Sequence, residues 1–299
     1  MLSIIVPVKD SAAHLRACLK SIEPHLCEGR GGVEAIVVDD GSSDDSARVA
    51  RQFPVRVIEC GTSRGLAQAR NVGAKAARGS VFLFVDADVA LHADTIERIE
   101  EAFRDPAVDA VSGCCDDRPA DASFVSQFRN LLHHYMHQTA GAKAGGFWTG
   151  CGAIRREAFE RLGGFDAGVR CDFGLRLSQS GKLRLDPAIQ VQTRKVWTLA
   201  GMFQAGMTNP PEPASGVLLI MAFALAVAGL AVPGFWAAAL AVITAVVWLH
   251  RGFFGFLVLK RSAGFALGAI PLHLLYFLCC TVVVGCTWFR HRVGWLSLE

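Results

Sequence analysis

Charge is scarce in this chain. Only 19% of its 299 residues are Asp, Glu, Lys or Arg, where a soluble domain usually carries about a quarter. The net charge of +3, with no basic stripe interleaved with aromatics, excludes a nucleic-acid binder. Ten cysteines are present, but none are spaced as CxxC or CxxxC. Cys114-Cys115 and Cys279-Cys280 are adjacent in the chain, so the expectation is free thiols in a reducing compartment rather than a disulfide frame or a zinc site. The N-terminus has no basic n-region and only a short apolar run, which reads as a buried strand rather than a signal segment. No internal repeat or low-complexity tract occurs.

The apolar residues that make up 52% of the chain are unevenly placed. Up to about Asn209 the composition is mixed, and beyond Gly216 it is overwhelmingly apolar. Three prolines, Pro210, Pro211 and Pro213, interrupt the chain between these regions. The expected organisation is a domain over 1–208, a Pro-rich linker over 209–216 and an all-α transmembrane region over 217–299. Within the last, 217–232 and 235–250 are apolar segments of about sixteen residues each, short of the ~20 that span a bilayer. They suit a tight hairpin. Segment 265–289 is long enough to cross, and Arg251, Lys260 and Arg261 mark an intervening loop on the cytoplasmic side. Three crossings would put Arg290-His291-Arg292 on the other side, a conflict that a re-entrant hairpin relieves. Thr244 and His273 form no charged pathway, which argues against a channel or transporter.

In the first region short β-branched runs alternate with helical patterns. Strands are expected at Ser3 to Val8, Val33 to Val38, Val55 to Glu59 and Val81 to Val85. Helices are expected at Ala12 to Ile22 with Ser11 as N-cap, at Asp44 to Gln52, and at Leu66 to Ala77 with Gly79 at C′. The pattern predicts βαβ units and a mostly parallel sheet, with ligands beyond the strands' carboxyl ends. Asp39-Asp40 and Asp86-Ala87-Asp88 both fall at such ends. Two carboxylates at a turning strand end suit a divalent cation held together with substrate phosphates. His133 and His137 lie one helical turn apart but lack the Glu of an HExxH arrangement and a cysteine at zinc spacing.

Four segments in this order resemble glycosyltransferase family 2, of the GT-A fold: Ser3 to Val8; Val37-Val38-Asp39-Asp40-Gly41-Ser42-Ser43; Gly65 with Ala69-Arg70-Asn71-Val72-Gly73; and Phe84-Val85-Asp86-Ala87-Asp88. Further along, Asn130 to Gln138, Phe147 to Arg156, Gly163-Gly164-Phe165-Asp166, Val196 to Leu199 and Ile270 to Tyr276 resemble a membrane-anchored branch with C-terminal transmembrane helices.

The resemblance implies an α/β nucleotide-sugar domain that transfers a sugar from a nucleotide-diphosphate donor, with inversion and without processivity, to a lipid-linked or membrane-proximal acceptor. It implies that Pro7, Asp39 and Asp40 line the base pocket, that Arg70 approaches the nucleotide, that Asp86 lies near the ribose, and that Asp88, with Asp86, holds Mg²⁺ or Mn²⁺. His134, His137, Trp148, Gly150 and Cys151 fall on the acceptor side. The implied location is the inner membrane, multi-pass, with the catalytic domain cytoplasmic.

The chain also departs from the pattern. Lys9-Asp10 replaces an aromatic followed by Asn. Val169-Arg170 stands where the family has its Glu-Asp base, leaving Asp172 as the candidate general base and Asp166 as a weaker one. Thr193 replaces a histidine, and Ala205 to Asn209 lacks a usual Arg. These losses favour a phosphate acceptor, already ionised, and leave open the alternative of a degenerate member that binds nucleotide sugar or a partner protein without transfer.

Overall fold

The first strand illustrates how the fold is built. All of Leu2–Val8 (β1) is buried, as expected for a strand covered on both faces. Ile4, Val6 and Val8 face one core and Ile5 the other, the two-residue alternation of a strand. The computed structural model describes residues 1–26, 32–139, 146–166, 172–179, 182–208, 213–228, 230–232 and 234–292. The chain divides into two units, Met1–Val196 and Trp197–Glu299.

In the first unit β1 is followed by α1 (Ala12–Ile22), a 3₁₀ turn (Glu23–His25), β2 (Val33–Asp39), α2 (Ser46–Ala50), β3 (Arg56–Glu59), α3 (Leu66–Ala76), β4 (Val81–Val85), β5 (Val89–Leu91), α4 (Thr95–Ala102), β6 (Ala110–Cys115), α5 (Phe124–Thr139), β7 (Cys151–Arg155), α6 (Arg156–Arg161), α7 (Asp172–Gln179) and β8 (Leu183–Thr193). The eight strands form one sheet in the order β3-β2-β1-β4-β7-β6-β8-β5. Pairing is parallel from β3 through β4. Beyond β4 it is mixed: β7 runs antiparallel to both its neighbours, and β8 is parallel to β6 but antiparallel to β5. The expected parallel α/β sheet is therefore present in its first half, with a mixed extension. One face is covered by α1 and α4 through Leu15, Leu19 and Ile99, and the other by α3 and α6 through Ala69, Ala74 and Phe159.

Three local expectations are corrected. Ser11 occupies the N-cap position of α1, but its side chain caps nothing. Asp44 instead accepts the Ala12 N–H at 2.9 Å, and the Ser46 hydroxyl accepts that of Ser11 at 3.1 Å. The helix expected over 44–52 contracts to Ser46–Ala50 because Asp44 and Asp45 belong to this turn. Gly79 is not a left-handed C′ residue. Its N–H meets Ser3 Oγ at 2.8 Å, and a Cβ there would lie 2.7 Å from the Met1 carbonyl. The glycine answers a close approach to β1 rather than a helix end.

The second unit is helical: α8 (Leu199–Thr208), α9 (Pro213–Ala228), α10 (Gly234–Leu249), α11 (Arg251–Lys260) and α12 (Ala263–Arg292). Pro213 opens α9, a position where its missing N–H costs nothing. Among the described residues, Ala263–Val282 of α12 is long and apolar enough to cross a membrane, with mean hydropathy 1.9, while α10 and α11 form a pair bent by 60°. The loop expected around Arg251 and Lys260 is thus mostly helix, since Phe253 and Leu257 are buried.

Candidate functional site

Three parallel strands end on one rim. β1 delivers Pro7 and Val8, β2 delivers Asp39-Asp40, and β4 delivers Asp86-Ala87-Asp88. Pro7 is buried one residue before the end of β1. Asp39 accepts both the N–H (3.0 Å) and the hydroxyl (2.5 Å) of Ser42, closing a turn in which Gly41 has φ +72° and stacks on the Thr62-Ser63 backbone. Asp40 is fully buried. Its carboxylate accepts from Ser63 Oγ (2.7 Å), Arg64 N (2.8 Å) and Gly65 N (2.9 Å). These bonds shape the loop that starts α3, and so aim Arg70.

α3 lies close to the sheet because Gly73 carries no side chain; a Cβ there would sit 2.4 Å from Ile5 Cγ2. Arg70, buried on this helix, reaches Asp86 Oδ1 at 2.6 Å. Its guanidinium also lies over the Phe165 ring, 5.8 Å from the centroid. Phe165 is held in turn by Asn71, whose amide accepts the Phe165 N–H at 2.9 Å and donates to its carbonyl at 2.7 Å. The Gly163-Gly164-Phe165 loop is therefore clamped against α3. The sequence reading assigned no role to Asn71.

Asp88 is half-buried, and its carboxyl is raised above the usual range by burial first and by the charge of Asp86 second. Lys195 and His14 pull the other way. Cys18 lies beneath, its thiol 3.8 Å from the Asp86 carbonyl and raised by burial. No group of three or more His, Cys, Asp or Glu forms a ready metal cage among the described residues. Two neighbouring carboxylates nevertheless fit a hard divalent cation that takes its other ligands from phosphates and water.

The five acceptor-side residues come together, mostly as packing. Cys151 pairs with Val85, which sets the start of β7 beside Asp86. Its thiol is buried and pushed up to about 12, so it is no nucleophile. Gly150 leaves room for Trp148, whose ring would lie 2.3 Å from an added Cβ. Trp148 packs on His133 (4.9 Å) and His137 (6.4 Å), and these two rings lie 4.3 Å apart. His134 is buried with Nδ1 2.7 Å from the Cys115 carbonyl. Thr193 donates to Asn130 Oδ1 at 2.7 Å. Cys18, Cys60, Cys114, Cys115, Cys151, Cys279 and Cys280 form no disulfide.

The two candidate bases fare differently. Asp166 binds Arg176 at 2.6 Å, so its carboxylate is occupied. Asp172 opens α7, but its side chain lies outside the described residues, as do Val169 and Arg170. A His–Asp pair missed in the sequence, His92 and Asp116 at 3.1 Å, lies elsewhere on the sheet.

A mixed α/β sheet with an acidic strand-end rim and an arginine on the following helix defines a sugar-nucleotide type of fold. The family model for glycosyl transferase family 2 matches residues 3–163, and the chain belongs to that family. An uncharacterized glycosyltransferase of Haemophilus influenzae is 30% identical over 196 residues, 60% of this chain and 62% of that protein. Glycosyltransferase GlyG of Streptococcus pneumoniae is 30% identical over 118 residues, 38% of each. A PGL/p-HBAD biosynthesis glycosyltransferase of Mycobacterium bovis is 38% identical over 105 residues, 33% of this chain and 40% of that one. The chain thus spans less than two thirds of the length of these relatives.

Among solved structures, mannosyltransferase PcManGT of Pyrobaculum calidifontis, in complex with GDP-Man and Mn²⁺, matches with TM-score 0.57 and 20% identity over 94% of this chain and 86% of that one. Glucosyl-3-phosphoglycerate synthase of Mycobacterium tuberculosis, in complex with Mn²⁺ and UDP-glucose, matches with TM-score 0.50 and 18% identity over 70% and 77%. The shared fold is GT-A.

Proposed function

We propose that this chain is a glycosyltransferase that moves a sugar from a nucleoside-diphosphate sugar to a lipid-linked, membrane-proximal acceptor. The observation that carries the reading is the Arg70–Asp86 pair at 2.6 Å beside a half-buried Asp88, on a rim whose loop is held by Asp40. In the reaction an acceptor oxygen forms a bond to the sugar's anomeric carbon while the bond from that carbon to the diphosphate oxygen breaks. The nucleoside diphosphate leaves with the electron pair. Asp88 and Asp86 would hold Mg²⁺ or Mn²⁺, which when bound neutralises the charge growing on the diphosphate. Arg70 fixes Asp86, and Asn71 fixes Phe165 under Arg70, so the rim is preorganised before the donor arrives.

Asp166 is occupied by Arg176, and the positions where the family pattern has its base read Val169-Arg170. An acceptor that is already ionised, a lipid phosphate, needs no proton removed, and this chain suits it best. Inversion without processivity belongs to the same reading. The helices of the second unit, with Ala263–Val282 and the bent pair of α10 and α11, would hold the chain in the inner membrane as a multi-pass protein with its GT-A domain cytoplasmic. That arrangement raises the effective concentration of a lipid acceptor. The occupied Asp166 also favours a second reading, a member that binds nucleotide sugar without transferring it.

The test uses membranes containing the full chain, a panel of labelled nucleotide sugars, and Mn²⁺ with or without EDTA. Label in the lipid extract that needs the metal and disappears in Asp88→Ala supports transfer. Metal-dependent nucleotide binding with no labelled product would support the binding-only reading. Neither binding nor labelling would sink both.

A further inference from the structure

Arg251 stands at the corner between two apolar helices of the second unit. α10 ends at Leu249 and α11 begins at Arg251, with His250 between them, and the two helices are bent by 60°. The Arg251 guanidinium lies over the Trp248 ring, 4.1 Å from its centroid, and donates from Nη1 to the Trp248 carbonyl at 3.1 Å. Both residues are exposed. Among the described residues the Arg251 Nε and Nη2 make no hydrogen bond. The contacts with Trp248 orient the guanidinium without neutralising it. The helices of this unit bring no counter-charge of their own, since the sequence has no Asp or Glu from Pro213 to Leu298.

The depth of this corner follows from the charges at the ends of α11. The helix runs from Arg251 to Lys260, so at ~1.5 Å per residue its ends lie about 14 Å apart. With Lys260 at the headgroups and Arg251 inward of it, the guanidinium would sit near the middle of a hydrocarbon core about 30 Å thick, where an arginine is most costly. With α11 lying flat or pointing outward, Arg251 is at headgroup level. Trp248 then takes the interfacial place that aromatic residues favour. α12 allows this depth. His250 Nδ1 and His273 Nε2 are 2.9 Å apart, which ties the corner to a point ten residues past the start of α12 at Ala263. That helix has 30 residues, more than the ~20 that one crossing needs. His273 can therefore stand at the headgroups while the stretch up to Arg290, roughly 26 Å further on, crosses.

Building on the membrane placement proposed above, we propose that Arg251, held over Trp248, binds the phosphate of an anionic phospholipid of the bilayer and so fixes the depth of the second unit. A guanidinium is a planar fork of donors that matches phosphate geometry. The leaflet supplies the negative charge that the sequence of this unit lacks, and the His250–His273 bond passes the anchor from the α10–α11 corner to α12.

Unfolding midpoints of the full-length chain in detergent test this, measured against added phosphatidylglycerol, phosphatidylcholine and a polyprenyl phosphate. Phosphatidylglycerol should raise the midpoint where phosphatidylcholine does not. Arg251→Ala and Arg251→Gln should each weaken the apparent phosphatidylglycerol affinity about tenfold, and Arg251→Lys by less. Lys260→Ala, which removes a charge from the other end of α11, should weaken it less than about twofold. Unchanged affinity in the Arg251 variants would overturn the proposal, as would an equal loss in Lys260→Ala, which marks unspecific attraction. Displacement of phosphatidylglycerol by the polyprenyl phosphate would also overturn it and assign Arg251 to the acceptor. If the chain stays in solution without detergent, the membrane placement itself falls, and this site with it. Matching midpoints of the variants without added lipid establish that the comparison is between folded proteins.

Discussion

Asn71 and Phe165 are joined by two hydrogen bonds, amide to carbonyl at 2.7 Å and N–H to amide at 2.9 Å, although 94 residues separate them. The clamp seats Phe165 among Phe84, Phe159 and Phe173 and beneath the Arg70 guanidinium. Asn71 is one residue past Arg70 on α3, so a single helical turn positions both the arginine and the loop that supports it.

Asn71→Ala removes both bonds and leaves the Phe165 backbone groups without this partner. A loss of about 1–3 kcal/mol in stability is expected, together with weaker nucleotide binding. Chemical unfolding of the full chain followed by tryptophan fluorescence measures the first, and calorimetry the second. Full stability with normal binding would show that the clamp is dispensable.

Arg70→Met should be more severe for binding than for folding. It deprives Asp86 of its partner in a site where the Arg side chain is 10% and the Asp side chain 33% exposed. Breaking a fully buried pair costs about 3–5 kcal/mol, and solvent at Asp86 brings the expected cost nearer about 2 kcal/mol. Donor affinity should fall at least about tenfold. Arg70→Lys should recover little of it, because a lysine cannot also stack on Phe165 as a planar guanidinium does.

Acid should destabilise the first unit through its paired imidazoles. Burial, reinforced by nearby positive groups, lowers His137 from 6.5 to about 4 and holds His133 well below its ordinary value. The folded chain refuses protons that the unfolded chain accepts. The stability associated with these groups is therefore intact above pH 6.5 and is lost as pH falls toward about 4. Asp88 and Asp116, both raised chiefly by burial, have the opposite sign, and their protonation at lower pH offsets part of the loss. Unfolding temperature measured from pH 7 to 4 should fall less steeply in His137→Gln than in the parent. Parallel curves would contradict this assignment.

Gly150→Ala should be poorly tolerated and Gly146→Ala well tolerated. A Cβ at Gly150 would lie 2.3 Å from the Trp148 ring, while one at Gly146 meets nothing within 4 Å. Overpacking of the first kind costs about 1–3 kcal/mol. Denaturant midpoints for the two variants give the comparison, and equal values would mean that Trp148 has an alternative seat.

What the amino-acid sequence determined by itself was the local pattern. β-branched runs closing on Asp39-Asp40-Gly41 and on Asp86-Ala87-Asp88 announce strand ends. Their alternation with small-residue helices announces the α/β sheet, because strand and helix periodicities are written in consecutive residues. The polar-to-apolar change of composition near Gly216 likewise marks a helical second region.

Other features depended on partners far away in the chain. Gly79 reads as a helix cap, but its role comes from Ser3 and Met1. Arg251 to Lys260 reads as a loop from its cations, but burial of Phe253 and Leu257 keeps it helical. Asp166 reads as a candidate base, and its pairing with Arg176 has no local signal. Nothing local announces that Asn71 holds Phe165, or that the segment after β8 is bonded to Asp88. Contacts of this kind arise when the sheet order brings remote segments together, and they leave no periodic trace along the chain. Hydrophobic patterning is repeated at every turn and strand, so it is legible; a single hydrogen bond between distant residues is made once, and only the tertiary structure decides it.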